Sequence, residues 1–201
     1  MGGVASRSVT YGGDIHMRGS ILAGLCAILA GAGGSASAAQ QDENVLTPMP
    51  SGFKMGYHTA QGAMTMAEYV PAGESVDAWS TMITVQIYHG QPNRDPEAFA
   101  SNLGARWNAS CTNATSVKVV NGYENGYPFA VWAYECPLNP ATHKPENMWM
   151  KAISGADSLY AVQYADRQAM SPALVAPAMA YLRKVAVCDT RRPDRRCPKG
   201  M

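Results

Sequence analysis

The chain has 201 residues, 47% of them hydrophobic and 15% charged, with a formal net charge of +1 at pH 7. From Ala39 onward 14 basic residues face 14 acidic ones, and the length suffices for one domain with a core. The cysteine spacing excludes the C-x-x-C signatures of zinc and thioredoxin-like redox sites.

The first readable element is an export signal. From Met17 the chain runs through one arginine, an apolar stretch from Ile21 to Ala32, and small residues ending in Ala36-Ser37-Ala38. That is a secretory signal peptide over 17–38, its apolar stretch too short to span a bilayer. Residues 1–16 are polar and carry Asp14, unlike an n-region, and read as an upstream extension before a start at Met17. Cys26 follows Leu25 where a lipobox needs a small residue, which disfavours lipidation. The expected location is periplasmic or secreted after cleavage near Ala38, with no spanning helix in the mature chain.

Residues 39–62 are expected as a leader, since 39–52 are polar and punctuated by proline and glycine. The domain is expected over 63–187. "AMTMAEYVP" (63–71) and "WSTMITVQIYHG" (79–90) read as strands, joined through the turn-rich "PAGESVDA" into an antiparallel hairpin. Asp95-Pro96-Glu97 opens a helix with an N-cap, proline at N1 and an acid in the first turn. Phe99, Leu103 and Trp107 give that helix one apolar stripe ending near Cys111. "SVKVVNGYENGYPFAVWAYEC" holds two strand-like runs separated by turn residues at Asn121-Gly122 and Asn125-Gly126. "NMWMKAISGADSLYAVQYAD" repeats the pattern around Gly155-Ala156-Asp157. Ser171-Pro172 begins a last helix through about Val187, with Pro177 kinking it or delaying its start. Residues 188–201 form a basic tail.

About six strands in adjacent hairpins plus two one-faced helices predict an α+β fold, the helices packed on a twisted antiparallel sheet. Four of the five cysteines follow the signal: Cys111, Cys136, Cys188 and Cys197. An even count in an exported chain reads as two disulfides. Three connectivities are open, and Cys111 with Cys136 and Cys188 with Cys197 is favoured. In the chain-entropy model these loops contribute roughly 3.5 and 2.7 kcal/mol.

The runs "YVPAGESVDAWSTMITVQI" and "KAISGADSLYAVQYA", with the closing "VCDTRRPDRRCP", resemble small exported proteins of proteobacteria. The order of elements over most of 63–187 is also similar to the PsbP-like α/β/α sandwich. That resemblance implies accessory and binding roles and supplies no catalytic residues.

Chemistry-bearing residues are scattered. His58, His89 and His143 lie in no helical zinc-site spacing. Neither G-x-S-x-G nor S-x-x-K occurs. Glu74 and Asp77, three apart before a strand, suit loop solvation and backbone hydrogen bonds better than paired acid–base work. Met55 with His58, and Met64 with Met66, suggest soft copper ligands, but two methionines on one strand face suit core filling better. No cofactor and no metal is expected.

Two features could recognise a partner. Alternation sends Phe129, Val131 and Ala133 to one face of a strand and Ala130, Trp132 and Tyr134 to the other. Helices on both faces would absorb these side chains; otherwise Trp132, Tyr134 and Trp149 would form an aromatic surface for a ligand or partner. From Arg183 onward seven basic and two acidic residues contrast with an acidic body. Arg191, Arg192, Arg195 and Arg196 could pair with phosphates or anionic head groups. Asp189 and Asp194 among them favour instead a solvated tail that complements the body, and export removes nucleic acid as a partner. The expectation is a non-enzymatic envelope accessory or binding protein, with an unknown envelope protein or small ligand as partner. The alternatives are a hydrolase whose site is assembled from distant residues, marked by a pocket joining histidine to carboxylate or serine, and a protein-binding inhibitor or immunity protein.

Overall fold

The computed structural model describes residues 42–198. The upstream extension 1–16 and the signal peptide 17–38 lie outside the described residues. Where a leader is expected, two strands occur: β1 (Glu43–Leu46) and β2 (Phe53–Gln61). Neither carries a pattern that marks a strand in sequence. β1 has four residues, and β2 is an edge strand whose side chains are mostly exposed, so no alternation was required of it.

The hairpin of β3 (Met64–Pro71) and β4 (Thr81–His89) is antiparallel, as its turn chemistry predicts. Next comes α1 (Pro96–Ser110), where the Asp95 side chain accepts from the Glu97 N–H at 2.8 Å. β5 (Thr115–Glu124) and β6 (Tyr127–Asn139) follow. Their turn sits at Asn125-Gly126, with φ of 48° and 75°, the two positive values that a tight hairpin turn requires. Asn121-Gly122, the other expected turn, lies within β5.

β7 (Lys144–Ser154) and β8 (Ser158–Asp166) pair across the turn at Gly155. Here a buried carboxylate sets the geometry: Glu43 accepts from the Ala156 N–H at 2.5 Å, the Asp157 N–H at 3.1 Å and the Tyr160 hydroxyl at 3.0 Å. A Cβ on Gly155 would come within 2.0 Å of Glu43 Oε1, so only glycine fits. The last helix, α2 (Pro172–Leu182), is shorter than the sequence suggests, and β9 (Ala186–Asp189) follows it. β1 offers β9 an antiparallel partner, and that tertiary pairing overrides the continuing apolar pattern. Pro177 lies inside α2, and the helix still begins at Pro172.

The strands thus number nine among the described residues, where six are expected. Seven form one antiparallel sheet in the order β2-β3-β4-β8-β7-β6-β5, while β1 and β9 make a separate ribbon. The two helices cover opposite faces. On one, α1 rests on β5, β6 and β7 over Tyr134, Met150, Ala152 and Ala161. On the other, α2 rests on β7 and β8 over Trp149, Ile153, Tyr160 and Val162. The fold class is α+β. Both expected disulfides are present, Cys111 to Cys136 and Cys188 to Cys197. The first ties the end of α1 to β6; the second closes the tail onto β9.

Candidate ligand-binding groove

β5 is an edge of the large sheet, so one of its sides has no neighbouring strand. Its register against β6 shifts between Lys118 and Val120, and such a bulge re-aims side chains. Val119 and Val120 are both exposed, at 45% and 43%, and both turn toward α2. Between them and α2 runs a groove of about 570 Å³. Phe129 and Val131 of β6 join the valines in lining it, Met179 and Leu182 form the helix side, and Tyr123, 79% exposed, stands at the lip.

One polar group is built into the wall. Lys151, on β7 and 3% exposed, donates to the Glu124 carboxylate, to the Val185 carbonyl at 2.6 Å and to the Leu182 carbonyl at 3.4 Å. Its ammonium also lies 4.9 Å from the centre of the Phe129 ring. An ammonium has three protons, and all three are engaged, so Lys151 is a fixed structural cation. It sits at the C-terminal end of α2, where positive charge is attracted to the negative end of the helix dipole. The Glu124–Lys151 pair adds no net charge to the groove wall. Arg183, the next residue after α2, lines the groove, is exposed, and has no ion-pair partner among the described residues.

α2 is itself unusual. "PALVAPAMAYL" contains no charged residue, and its exposed side chains are Pro172, Ala173, Val175, Ala176, Pro177 and Ala180. A helix on the outside of a domain ordinarily turns polar side chains to water. A second depression of about 670 Å³ adjoins the groove along α2, lined by Met170 and Val175 and again by Met179 and Arg183.

No protein-family model matches the chain, and no curated protein matches it either. Among solved structures, the chain is similar to LpqN of Mycobacterium tuberculosis, a protein involved in cell envelope biogenesis. The TM-score is 0.38 and the identity 6%, over 75% of this chain and 87% of that one. So loose a likeness carries no functional argument, and of the expected PsbP-like kinship the α+β class is what stands.

The aromatic residues singled out in the sequence do not form a common surface. Tyr134 is fully buried under α1, where its hydroxyl donates to the Ala100 carbonyl at 3.0 Å, and Trp149 is buried under α2. Trp132 is half-buried against the α1-side core. The strand alternation is as predicted, and helices on both faces absorb the two sets. Met64 and Met66 are half-buried and outside both cores; the Met66 sulfur accepts from Gln86 at 3.4 Å. Met55, on the edge strand β2, is 53% exposed.

The tail arginines are largely matched by acids. Arg191 meets Asp157 at 2.5 Å, Asp189 at 2.8 Å and Asp42 at 3.8 Å. The Arg191 side-chain hydrogen bonds hold the buried Asp189 carboxyl below the usual carboxylate range. Arg192 pairs with Asp194 at 3.2 Å, and Arg195 lies 4.2 Å from the centre of the Tyr127 ring. Of the four, Arg196 alone has no carboxylate or ring partner among the described residues. The Asn125 side chain donates to the carbonyls of Val187 and Arg195, fastening the tail to the β5–β6 turn.

A cleft of about 850 Å³ does bring His89 near Glu43, Asp157 and Ser158, the signature a hydrolase would give. However, His89 shares a hydrogen bond with the Thr65 hydroxyl at 3.1 Å, Glu43 is occupied by amides, and Asp157 pairs with Arg191. Among the described residues no serine or carboxylate bonds His89, so the nucleophile–base contact of such a site is absent. Glu74 accepts from the Ser80 N–H at 2.6 Å and its hydroxyl at 2.7 Å, the loop role expected for it. Those bonds lower its carboxyl below its ordinary value. Among the described residues no three His, Cys, Asp or Glu side chains are grouped to hold a metal ion, and no helix is long and apolar enough to cross a membrane.

Proposed function

We propose that this protein is an exported accessory protein of the cell envelope that binds an apolar ligand in the groove between α2 and β5–β6, and that it is not an enzyme. One observation carries the reading: folding leaves Val119, Val120 and Met179 facing each other across an open groove beside a helix with no polar outer face. Its volume falls in the range of about 300–1,000 Å³ typical of small-molecule sites, which are walled by apolar side chains with a few fixed polar groups. The two disulfides fit an extracytoplasmic location.

The neutral dye N-phenyl-1-naphthylamine tests the groove. Saturable fluorescence at one site per chain, lost in Val120→Asp while the unfolding midpoint is kept, is the expected result. Dye uptake that is absent, or unchanged in the variant, would remove the groove as the binding site. Mass spectrometry of the protein exported from its own signal tests the compartment: the expected chain starts near Ala39 and lacks four hydrogens.

The free edge of β5 supports a second reading, recognition of an extended strand of a partner protein. Under it a β5-edge variant such as Val117→Lys, on a residue 56% exposed, would lose the partner while dye uptake stays intact.

A further inference from the structure

Resting on the groove as the binding site, we infer the class of its ligand: a single-chain amphiphile with an anionic head, carboxylate or phosphate, taken up as a monomer. The charge around the groove is asymmetric. Glu124 and Lys151 cancel within the wall, while Arg183 at the rim is exposed and unpaired, as is the adjacent Lys184. Other cations are divided: Lys118 meets Glu97, Arg191 three carboxylates and Arg192 Asp194, while Lys54, Arg106, Lys144 and Arg196 have no acid partner among the described residues, and none of these lines the groove. Arg183, a cation without an ion-pair partner among the described residues where α2 ends on an apolar groove, and followed in the chain by the exposed Lys184, offers complementary charge to one negative head group with a chain attached.

Arg183 lines both the groove and the depression that adjoins it along α2, so a head group held there leaves the chain access to the walls of Val119, Val120, Val131 and Met179. Guanidinium pairs with carboxylate or phosphate through two parallel hydrogen bonds. A flat anionic bilayer is a poorer match, because the chain-binding surface is recessed between β5 and the helix. An interfacial helix inserts large apolar side chains, whereas the exposed face of α2 offers alanine, proline and valine.

The test is calorimetric titration of the disulfide-intact protein with decanoate and with decanol, each below its aggregation concentration, with sedimentation on phosphatidylglycerol vesicles as a further arm. Decanoate is expected to bind one per chain, at least about tenfold tighter than decanol, the scale of one charge-assisted hydrogen bond. Arg183→Gln/Lys184→Gln should erase that preference and leave decanol binding and the unfolding midpoint unchanged. Equal affinity for the two would overturn the anionic head while leaving the apolar groove standing. Dye binding without uptake of either amphiphile would overturn the amphiphile and keep the groove; absence of all three would remove both. Binding to vesicles without binding monomeric decanoate would also overturn the inference.

Discussion

The two helices begin alike, each with a polar residue before a proline, and are held in opposite ways. α1 is finished locally. Asp95 caps it, Glu97 in its first turn bonds Lys118 and Asn121, its last residue runs into a disulfide, and Ser101, Asn102, Arg106 and Asn108 face water. α2 has none of these. Ser171 makes no side-chain capping bond, no charge lies on the helix, and its outer face is apolar. It is held from below, by Tyr181 and Leu182 in the core and by Lys151 under its last carbonyl. A helix stabilised on its underside and left apolar on top is suited to being covered, which is where a binding role belongs.

The sharpest way to break this contrast is Lys151→Ala. Glu124, 37% exposed, keeps its access to water, but the Val185 and Leu182 carbonyls lose their buried donor at about 1–3 kcal/mol each, so a loss of about 4 kcal/mol is expected in urea unfolding. The equivalent change on the α1 side, Lys118→Ala, removes an ion pair whose partners are 43% and 39% exposed; it should cost no more than about 1 kcal/mol. Comparable losses would mean that burial of the lysine, the one respect in which the two pairs differ in exposure, does not separate them. Next in size is the α1-side disulfide. Cys111→Ala/Cys136→Ala opens a loop of 25 residues, worth about 3.5 kcal/mol by chain entropy, and hydrogen exchange should rise first in the last turn of α1.

Much of this contrast was legible in the sequence, and the reasons differ by residue. Asp95-Pro96-Glu97 announced α1 because capping chemistry is local, and Asn125-Gly126 announced its turn because positive φ restricts the residues allowed. The two disulfides and the two-sided sheet followed from cysteine parity and from alternation. β1, β2 and β9 stayed hidden because each exists through its pairing: "ENVL" is a strand only where "AVCD" lies beside it. The groove left fainter signs. Lys151 interrupts the apolar run "NMWMKAIS" on the face shared with Trp149 and Ile153, a position that a surface lysine would not take. The absence of charge from "PALVAPAMAYL" was the other sign. The bulge that brings both Val119 and Val120 to the groove left no mark, since register is decided by the partner strand.

The smallest effects test the contrast most finely, because they concern matched positions. Asp95→Ala removes a capping bond of 2.8 Å and should cost about 1 kcal/mol. Ser171→Ala removes no capping bond and should stay within about 0.5 kcal/mol, the range of surface changes that touch no such feature. If Ser171→Ala proved as costly as Asp95→Ala, α2 would be locally capped after all, and its stability would not need its underside. If the difference holds, α2 has little of its own to resist opening. Its amides should then exchange faster than those of α1 in the free protein and slow toward them when the groove is filled, since a bound ligand stabilises whatever it covers.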